Sequence, residues 1–265
     1  MRSLVKRAAL AVDRLVPTPS GVVTLIYHRV GGGTDSSVDL PIAEFDRQIA
    51  WLSANRTVVS LQTAVDAARR GDHRVDGSVI VTFDDGTADF CDHAVPVLLE
   101  HDVPATLFAE TSPISTGNRM ASGLAPTSWS ALRDAVATGL VTVESHTHTH
   151  RVLRDVDAAS AADELDRSID AISTELGVRP RHFAYPKAVA GSAAARAEVA
   201  ARFESAAIGG GRPMKAGGDV QAWPRTPVQR TDSFEMFQRK AQGGMWLEGV
   251  ARSAVAQVRY RGVDR

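Results

Sequence analysis

Val79-Ile80-Val81-Thr82-Phe83-Asp84-Asp85-Gly86 is the stretch on which the reading of this chain turns. A run of β-favouring residues closed by two adjacent carboxylates and a glycine predicts a buried strand that delivers paired acids at its carboxyl end. Alternate residues of a strand face opposite sides, but a glycine-assisted turn lets both carboxylates face one cavity. Two acids so close cannot both stay ionised and unpaired in a dry site, so a cation or a shared proton must intervene. Further along, Glu144-Ser145-His146-Thr147-His148-Thr149-His150 follows another short apolar run. Histidine is the commonest metal-binding side chain, so the two stretches predict a single metal site.

Working outward from the central strand, β-rich runs and helical patterns alternate through the chain. Residues 21–30 form a first strand that carries His28 into a run of glycines, and residues 41–54 and 61–70 have helical spacing. Residues 89–101 read as a helix kinked at Pro96, and 105–109 as a strand. Residues 111–127, rich in Ser, Thr, Gly and Pro, read as a long loop at the substrate rim. Then come a helix over 129–138, a strand over 140–143, a long helix over 158–176, and a short strand over 182–186. A helix over 192–202 and strands over 205–208 and 225–228 follow, before terminal helices over 234–241 and 245–258. No composition break or repeat divides this α/β alternation, which predicts one parallel (β/α) barrel of about seven strands. We divide the chain into an N-terminal amphipathic helix (1–20), the barrel (21–243) and a C-terminal helix (244–265). His28, Asp84, Asp85, His146 and Tyr185 all fall at carboxyl ends of strands, the face that carries barrel active sites.

Composition narrows the chemistry. The 265 residues are 44% hydrophobic, enough for one large core. With 30 basic against 31 acidic side chains, no global field recruits nucleic acid, and a neutral substrate is easiest to accommodate. Cys91 is the only cysteine, which excludes an internal disulfide and a thiolate-rich zinc site, so a metal must be held by oxygen and nitrogen. Charges interrupt each apolar run of the first twenty residues, so neither a signal peptide nor a spanning helix is expected there. An amphipathic helix packed on the barrel, with a weak membrane-surface contact as the sharper alternative, fits better. The expected location is therefore the cytoplasm or the membrane periphery.

His146 and His150, four residues apart, can converge on one ion either on a helical turn or in a loop leaving a strand. With one carboxylate they make a three-ligand set that leaves positions open for water and substrate, the pattern of catalytic metals. Asp85 lies deeper in the turn and is the expected ligand, which frees Asp84 as general base. His148, between the two histidines, is a possible substitute for either. Zinc is the default ion for such a set, with cobalt, nickel and iron(II) also suited. Taken singly, Asp-Asp-Gly is an ordinary turn and His-x-x-x-His an ordinary surface pair; it is their occurrence at two strand ends that points to a hydrolytic site.

These motifs resemble those of the polysaccharide deacetylases with a NodB-homology domain, carbohydrate esterases built on a distorted (β/α) barrel. Thr82-Phe83-Asp84-Asp85-Gly86 is similar to their first motif, in which the first Asp is the base and the second a metal ligand. His146-Thr147-His148-Thr149-His150 is similar to the second, whose outer histidines bind the metal, and Phe183-Ala184-Tyr185-Pro186 to the third. The resemblance, which runs from Val22 to Lys240, implies water attack on an N-acetyl carbonyl, with the backbone N–H of Tyr185, ahead of Pro186, helping to hold the oxyanion. It also implies an N-acetylated glycan or glycoconjugate as substrate.

Most members take the acid from a histidine in a late strand, whereas no histidine follows Arg225 here. Tyr27-His28-Arg29-Val30 resembles the opening of the poly-N-acetylglucosamine deacetylase branch, where the acid comes from the first strand, which implies His28 as acid. Ala184 stands where many members have an arginine that braces the base, and Lys187-Ala188 where they have Tyr-Gly. Arg225 and Arg230 are the candidates for that brace, against a surface role for each. Trp129 and Trp223 are candidates either for stacking on a sugar or for packing. An O-acetyl esterase using the same site and a catalytically silent carbohydrate-binding barrel are the alternative functions. The sequence leaves the oligomeric state open.

Overall fold

Seven strands pair in parallel and close on themselves: β1 (Val23–Tyr27), β2 (Val79–Asp85), β3 (Ala105–Ala109), β4 (Val141–Ser145), β5 (His182–Ala184), β6 (Ser205–Gly209) and β7 (Trp223–Pro227). The computed structural model describes Lys6, Leu10, Asp13, residues 16–31 and residues 33–259, with the backbone alone for 253, 254 and 256–258. Closure is made where Leu25 and Ile26 of β1 lie opposite Thr226 and Pro227 of β7. The expected α/β barrel is therefore the observed one.

The period of two along β2 sorts its side chains. Val79, Val81 and Phe83 pack outward with Phe45, Leu52 and Leu98 of the surrounding helices. Ile80 packs inward with Phe108, Ala184, Ala207 and Trp223, and above it Thr82 and Asp84 also reach the barrel interior. Asp85 would by this alternation face out. Its left-handed backbone (φ 73°), followed by Gly86 at φ 94°, turns it back over the barrel mouth. A residue other than glycine at position 86 would be strained at that φ and would crowd Ile114 Cδ1, 3.2 Å from an added Cβ.

The barrel is uneven. Five neighbouring strand pairs share at least three register positions each, but β4 and β5 share only Ser145 opposite Phe183. Side chains stitch that seam instead. The Glu144 carboxylate accepts the N–H groups of Arg181 (2.6 Å) and His182 (2.7 Å), and His146 Nδ1 lies 2.7 Å from Ala184 O. Backbone groups that the ladder leaves unpaired are thus satisfied by the first histidine of the second motif and by Glu144 just ahead of it.

Several expectations need correction. Residues 111–127 are not all loop, because Thr111–Thr116 is a short helix ended by Gly117 in the left-handed region; Pro113 sits in its first turn, where proline removes no helical hydrogen bond. The first strand does not run to Val30. It breaks at His28, after which Arg29–Val30 pairs with Asp39–Leu40 in a separate two-stranded ribbon. The last strand begins at Trp223, two residues earlier than its β-rich appearance indicates. The kinked helix is a π-turn over Phe90–Ala94 running into the helix Val95–Glu100.

Most of the N-terminal helix expected over 1–20 lies outside the described residues, as do residues 260–265. Lys6, Leu10 and Asp13 are helical and buried. Lys6 Nζ pairs with the buried Asp232, and Asp13 with Arg239 at 2.9 Å, which ties this segment to elements that follow β7. The C-terminal helix spans Trp246–Arg259. Among the described residues, no helix is long and apolar enough to cross a membrane.

Candidate active site

Asp84 sits inside the barrel near the end of β2, nearly all of its surface buried. From β7, Arg225 reaches across and donates from Nη1 to Oδ1 (2.6 Å) and from Nη2 to Oδ2 (2.9 Å), a two-pronged pairing that fixes both position and charge. Arg225 is itself 1% exposed, with its guanidinium 5.0 Å from the Phe108 ring centre and Nη1 also donating to Thr82 Oγ1. It is an interior residue. Arg230, the other candidate, is directed elsewhere: it is exposed and donates to Thr34 O at 2.8 Å. Burial alone would push the Asp84 carboxyl up, but the charges of Arg225, His146 and His28 and the Arg225 hydrogen bonds outweigh it and hold the carboxyl below the usual range.

Asp85, His146 and His150 converge over the barrel mouth, each offering a ligand atom within 4.8 Å of the others. His150 Nε2 is 3.2 Å and His146 Nε2 3.7 Å from Asp85 Oδ1, and His146 Nε2 is 4.0 Å from Asp84 Oδ2. The tautomer of His146 follows from its partner. Ala184 O can only accept, so Nδ1 carries the proton and donates at 2.7 Å, leaving the Nε2 lone pair directed toward the carboxylates. Burial lowers His146 to about 4, which keeps the ring neutral, as a metal ligand must be. Burial likewise would raise Asp85, yet its bond to His150 and the charges of His28, His150 and His146 drive it well below the ordinary carboxylate range. A two-imidazole, one-carboxylate set, with Asp85 23% and His150 13% exposed at the side chain, fits a divalent cation held on one side and open to solvent on the other.

His28 stands where β1 breaks, half-buried, with its Nδ1 shielded from solvent and without a hydrogen-bond partner among the described residues. It follows Tyr27, which lies opposite Phe83 of β2, so the imidazole is at the same end of the barrel as Asp84 and Asp85. His148 does not substitute for a ligand. Its Nδ1 bonds Thr111 Oγ1 at 2.9 Å, outside the converging set.

The third motif is arranged differently from the expectation. The Tyr185 N–H donates to Ala207 O at 3.0 Å, extending the β5–β6 ladder by one residue, and is not offered to the cavity. Pro186 has no N–H to offer. The next residue, Lys187, is exposed and left-handed (φ 57°, ψ 13°). Trp223 is fully buried with its indole N–H donated to Thr24 Oγ1 at 2.7 Å, and Trp129 is buried with its N–H on Ser115 Oγ, so both rings are core.

Asp85, Thr147, His150, Lys187 and Ala188 all have positive φ, and they make up most of the described non-glycine residues that do. Each costs on the order of 1–3 kcal/mol, and such strain concentrates where geometry serves function. Two residues without a motif signature complete the site: Glu164, 5% exposed, whose carboxylate binds the second-motif loop, and Glu110, buried at the end of β3 near His150, Asp85 and Lys187. Nothing in their local sequence marks them, since each is a glutamate in an otherwise ordinary segment.

A family model described as polysaccharide deacetylase matches residues 72–205, half of the chain. That span includes Asp84, Asp85, His146 and His150 and leaves out His28 and Arg225. The poly-beta-1,6-N-acetyl-D-glucosamine N-deacetylase of Staphylococcus epidermidis is 30% identical over 152 residues, 54% of this chain and 52% of that protein. The chain spans about half the length of the curated relatives it matches. The structure of IcaB from Ammonifex degensii superposes with a TM-score of 0.73 at 25% identity, covering 91% of this chain and 98% of that one. The Streptococcus pyogenes deacetylase PplD, solved in complex with acetate, shares the fold with a TM-score of 0.74 at 17% identity, covering 85% of this chain and 99% of that one.

Proposed function

Because the chain belongs to the polysaccharide deacetylase family, we propose that it hydrolyses N-acetyl groups of amino sugars within a glycan or glycoconjugate, with one divalent cation held by Asp85, His146 and His150. The observation that carries this reading is the meeting of those three ligand atoms, from two strand ends, beside an Asp84 that Arg225 keeps ionised. When bound, the cation supplies Lewis-acid polarisation of the acetyl carbonyl and lowers the pKa of water. Zinc is the default ion for this donor set, with cobalt, nickel and iron(II) also suited.

The chain's own residues do the rest. Asp84, ionised and oriented by the Arg225 fork, takes the proton from the attacking water as general base. The tetrahedral oxyanion needs a backbone donor, and the Tyr185 N–H of the third motif already donates to Ala207 O. As the carbon–nitrogen bond breaks, His28 gives a proton to the leaving amine, and the products are acetate and a free amino sugar. Weak contact of the N-terminal segment with a membrane surface would bring the barrel to a membrane-borne glycan; vesicle sedimentation of the protein with and without residues 1–20 tests that part.

The deciding experiment measures acetate released from N-acetylglucosamine oligomers by zinc-loaded protein, before and after chelation. Release that stops on chelation supports the reading. Release only from acetylated xylan would identify an O-acetyl esterase on the same site. Zinc binding without acetate from any acetylated glycan would favour a silent binding barrel.

A further inference from the structure

The loop that carries both histidine ligands is held by hydrogen bonds to neighbouring segments. His146 N donates to Ala109 O at 3.0 Å, Ser112 N donates to His148 O at 2.8 Å, and Thr111 N reaches Thr147 O at 3.5 Å. On the opposite side a single carboxylate takes two further amides and a hydroxyl. Glu164 Oε2 accepts His148 N at 3.0 Å and Thr149 N at 2.8 Å, and Oε1 accepts Thr149 Oγ1 at 2.7 Å.

The element that brings Glu164 there is rigid. It is the helix Ala158–Leu176, capped by Asp157 on Ser160 N and closed by Gly177 in the left-handed region. Ala161, Leu165 and Ile169 of this helix bury against Phe183, Phe203 and Val199. One turn on from Glu164, Ser168 Oγ donates to Leu165 O at 2.8 Å, so the 2.6 Å bond between Ser145 and Ser168 must be donated by Ser145. The helix therefore holds the chain just before His146 and again between the two histidines. Thr147 between those anchors and His150 just past the second sit at φ 65° and 60°, conformations that a free loop of L-residues would leave.

We propose that Glu164 is the positioning residue of the metal loop, fixing the distance between His146 and His150 by hydrogen bonds rather than by its charge. The proposal rests on the metal reading above and assigns Glu164 no contact with substrate. Groups that orient ligands from behind change metal affinity by about 10–100-fold when removed. Glu164→Gln separates hydrogen bonding from charge. Its single carbonyl oxygen can accept both backbone N–H groups, while its amide donates to Thr149 Oγ1, which can accept.

The test is zinc affinity by competition with a chromophoric chelator, together with hydrogen exchange of the His148 and Thr149 amides in zinc-free protein. Glu164→Ala is expected to weaken zinc binding by about 10–100-fold and to speed exchange of both amides, with Glu164→Gln staying close to the parent in both measurements. Glu164→Asp, one methylene short, is expected to fall between, and carries the comparison if the alanine variant does not fold. Unchanged affinity and exchange in Glu164→Ala or Glu164→Asp would overturn the proposal. So would a Gln variant as impaired as Ala, which would assign the effect to charge. If the parent protein bound no zinc, the metal reading would fail, and amide exchange would still decide whether Glu164 holds the loop.

Discussion

Arg225 and Asp84, residues on strands that are not neighbours in the barrel, meet inside it through two hydrogen bonds of 2.6 and 2.9 Å. The pairing lets a carboxylate stay ionised where burial opposes ionisation, and both residues are too enclosed for water to take over if one is lost.

Arg225→Ala should therefore cost about 3–5 kcal/mol of stability near neutral pH, because it leaves an unpaired buried carboxylate. The sign of the pH dependence should also change. Held below its ordinary value, Asp84 now adds stability above the unfolded carboxyl pKa that is lost as pH falls through the folded one. Without Arg225 only His146 and His28 oppose burial; the carboxyl rises, and stability should fall as pH increases through the mildly acidic range. Arg225→Lys restores charge without the fork and should recover stability more than turnover. Denaturant unfolding across pH reads this, and a loss below about 1 kcal/mol in Arg225→Ala would dismiss the pairing as a support of the fold.

Glu144 gives a second pH test. Burial, partly offset by the N–H groups of His182 and Arg181, raises its carboxyl to about 8. A folded value above the unfolded one means that the native state binds more protons, so stability declines from about pH 4.5 to about pH 8. Glu144→Gln keeps an oxygen for both N–H donors and removes the ionisation. It should match the parent near pH 4 and exceed it near pH 8 by a few kcal/mol, at about 1.4 kcal/mol per unit of displacement. Equal thermal stability of the two proteins at pH 8 would count against it.

Asp84→Asn should reduce acetate release by about 100- to 10,000-fold while zinc stays bound, since it removes the base and none of the three ligands. His146→Ala should instead lose zinc, and its turnover with it. Metal analysis beside an acetate assay separates the two, and near-normal turnover in Asp84→Asn would refute Asp84 as base.

His28→Ala should impair cleavage of an N-acetyl amide far more than cleavage of an activated aryl acetate, whose leaving group needs little protonation. Equal losses on the two substrates would reject the acid role.

The sequence by itself determined the α/β alternation, the barrel of about seven strands and the resemblance to polysaccharide deacetylases, because these rest on local periodicity and contiguous motifs. Asp84-Asp85-Gly86 and the spaced histidines could be read as chemistry since each lies within a few residues of a strand end. Tertiary structure alone decided between Arg225 and Arg230, because the choice depends on which side chain crosses the closed barrel to Asp84. It showed that the Tyr185 N–H is consumed by the β5–β6 register. It also revealed Glu164, which no motif marks, since only the packing of the Ala158–Leu176 helix brings that carboxylate to the amides of His148 and Thr149. Periodicity records which face of an element is buried, whereas contacts between distant segments depend on barrel closure and helix docking, and those leave no local trace in the chain.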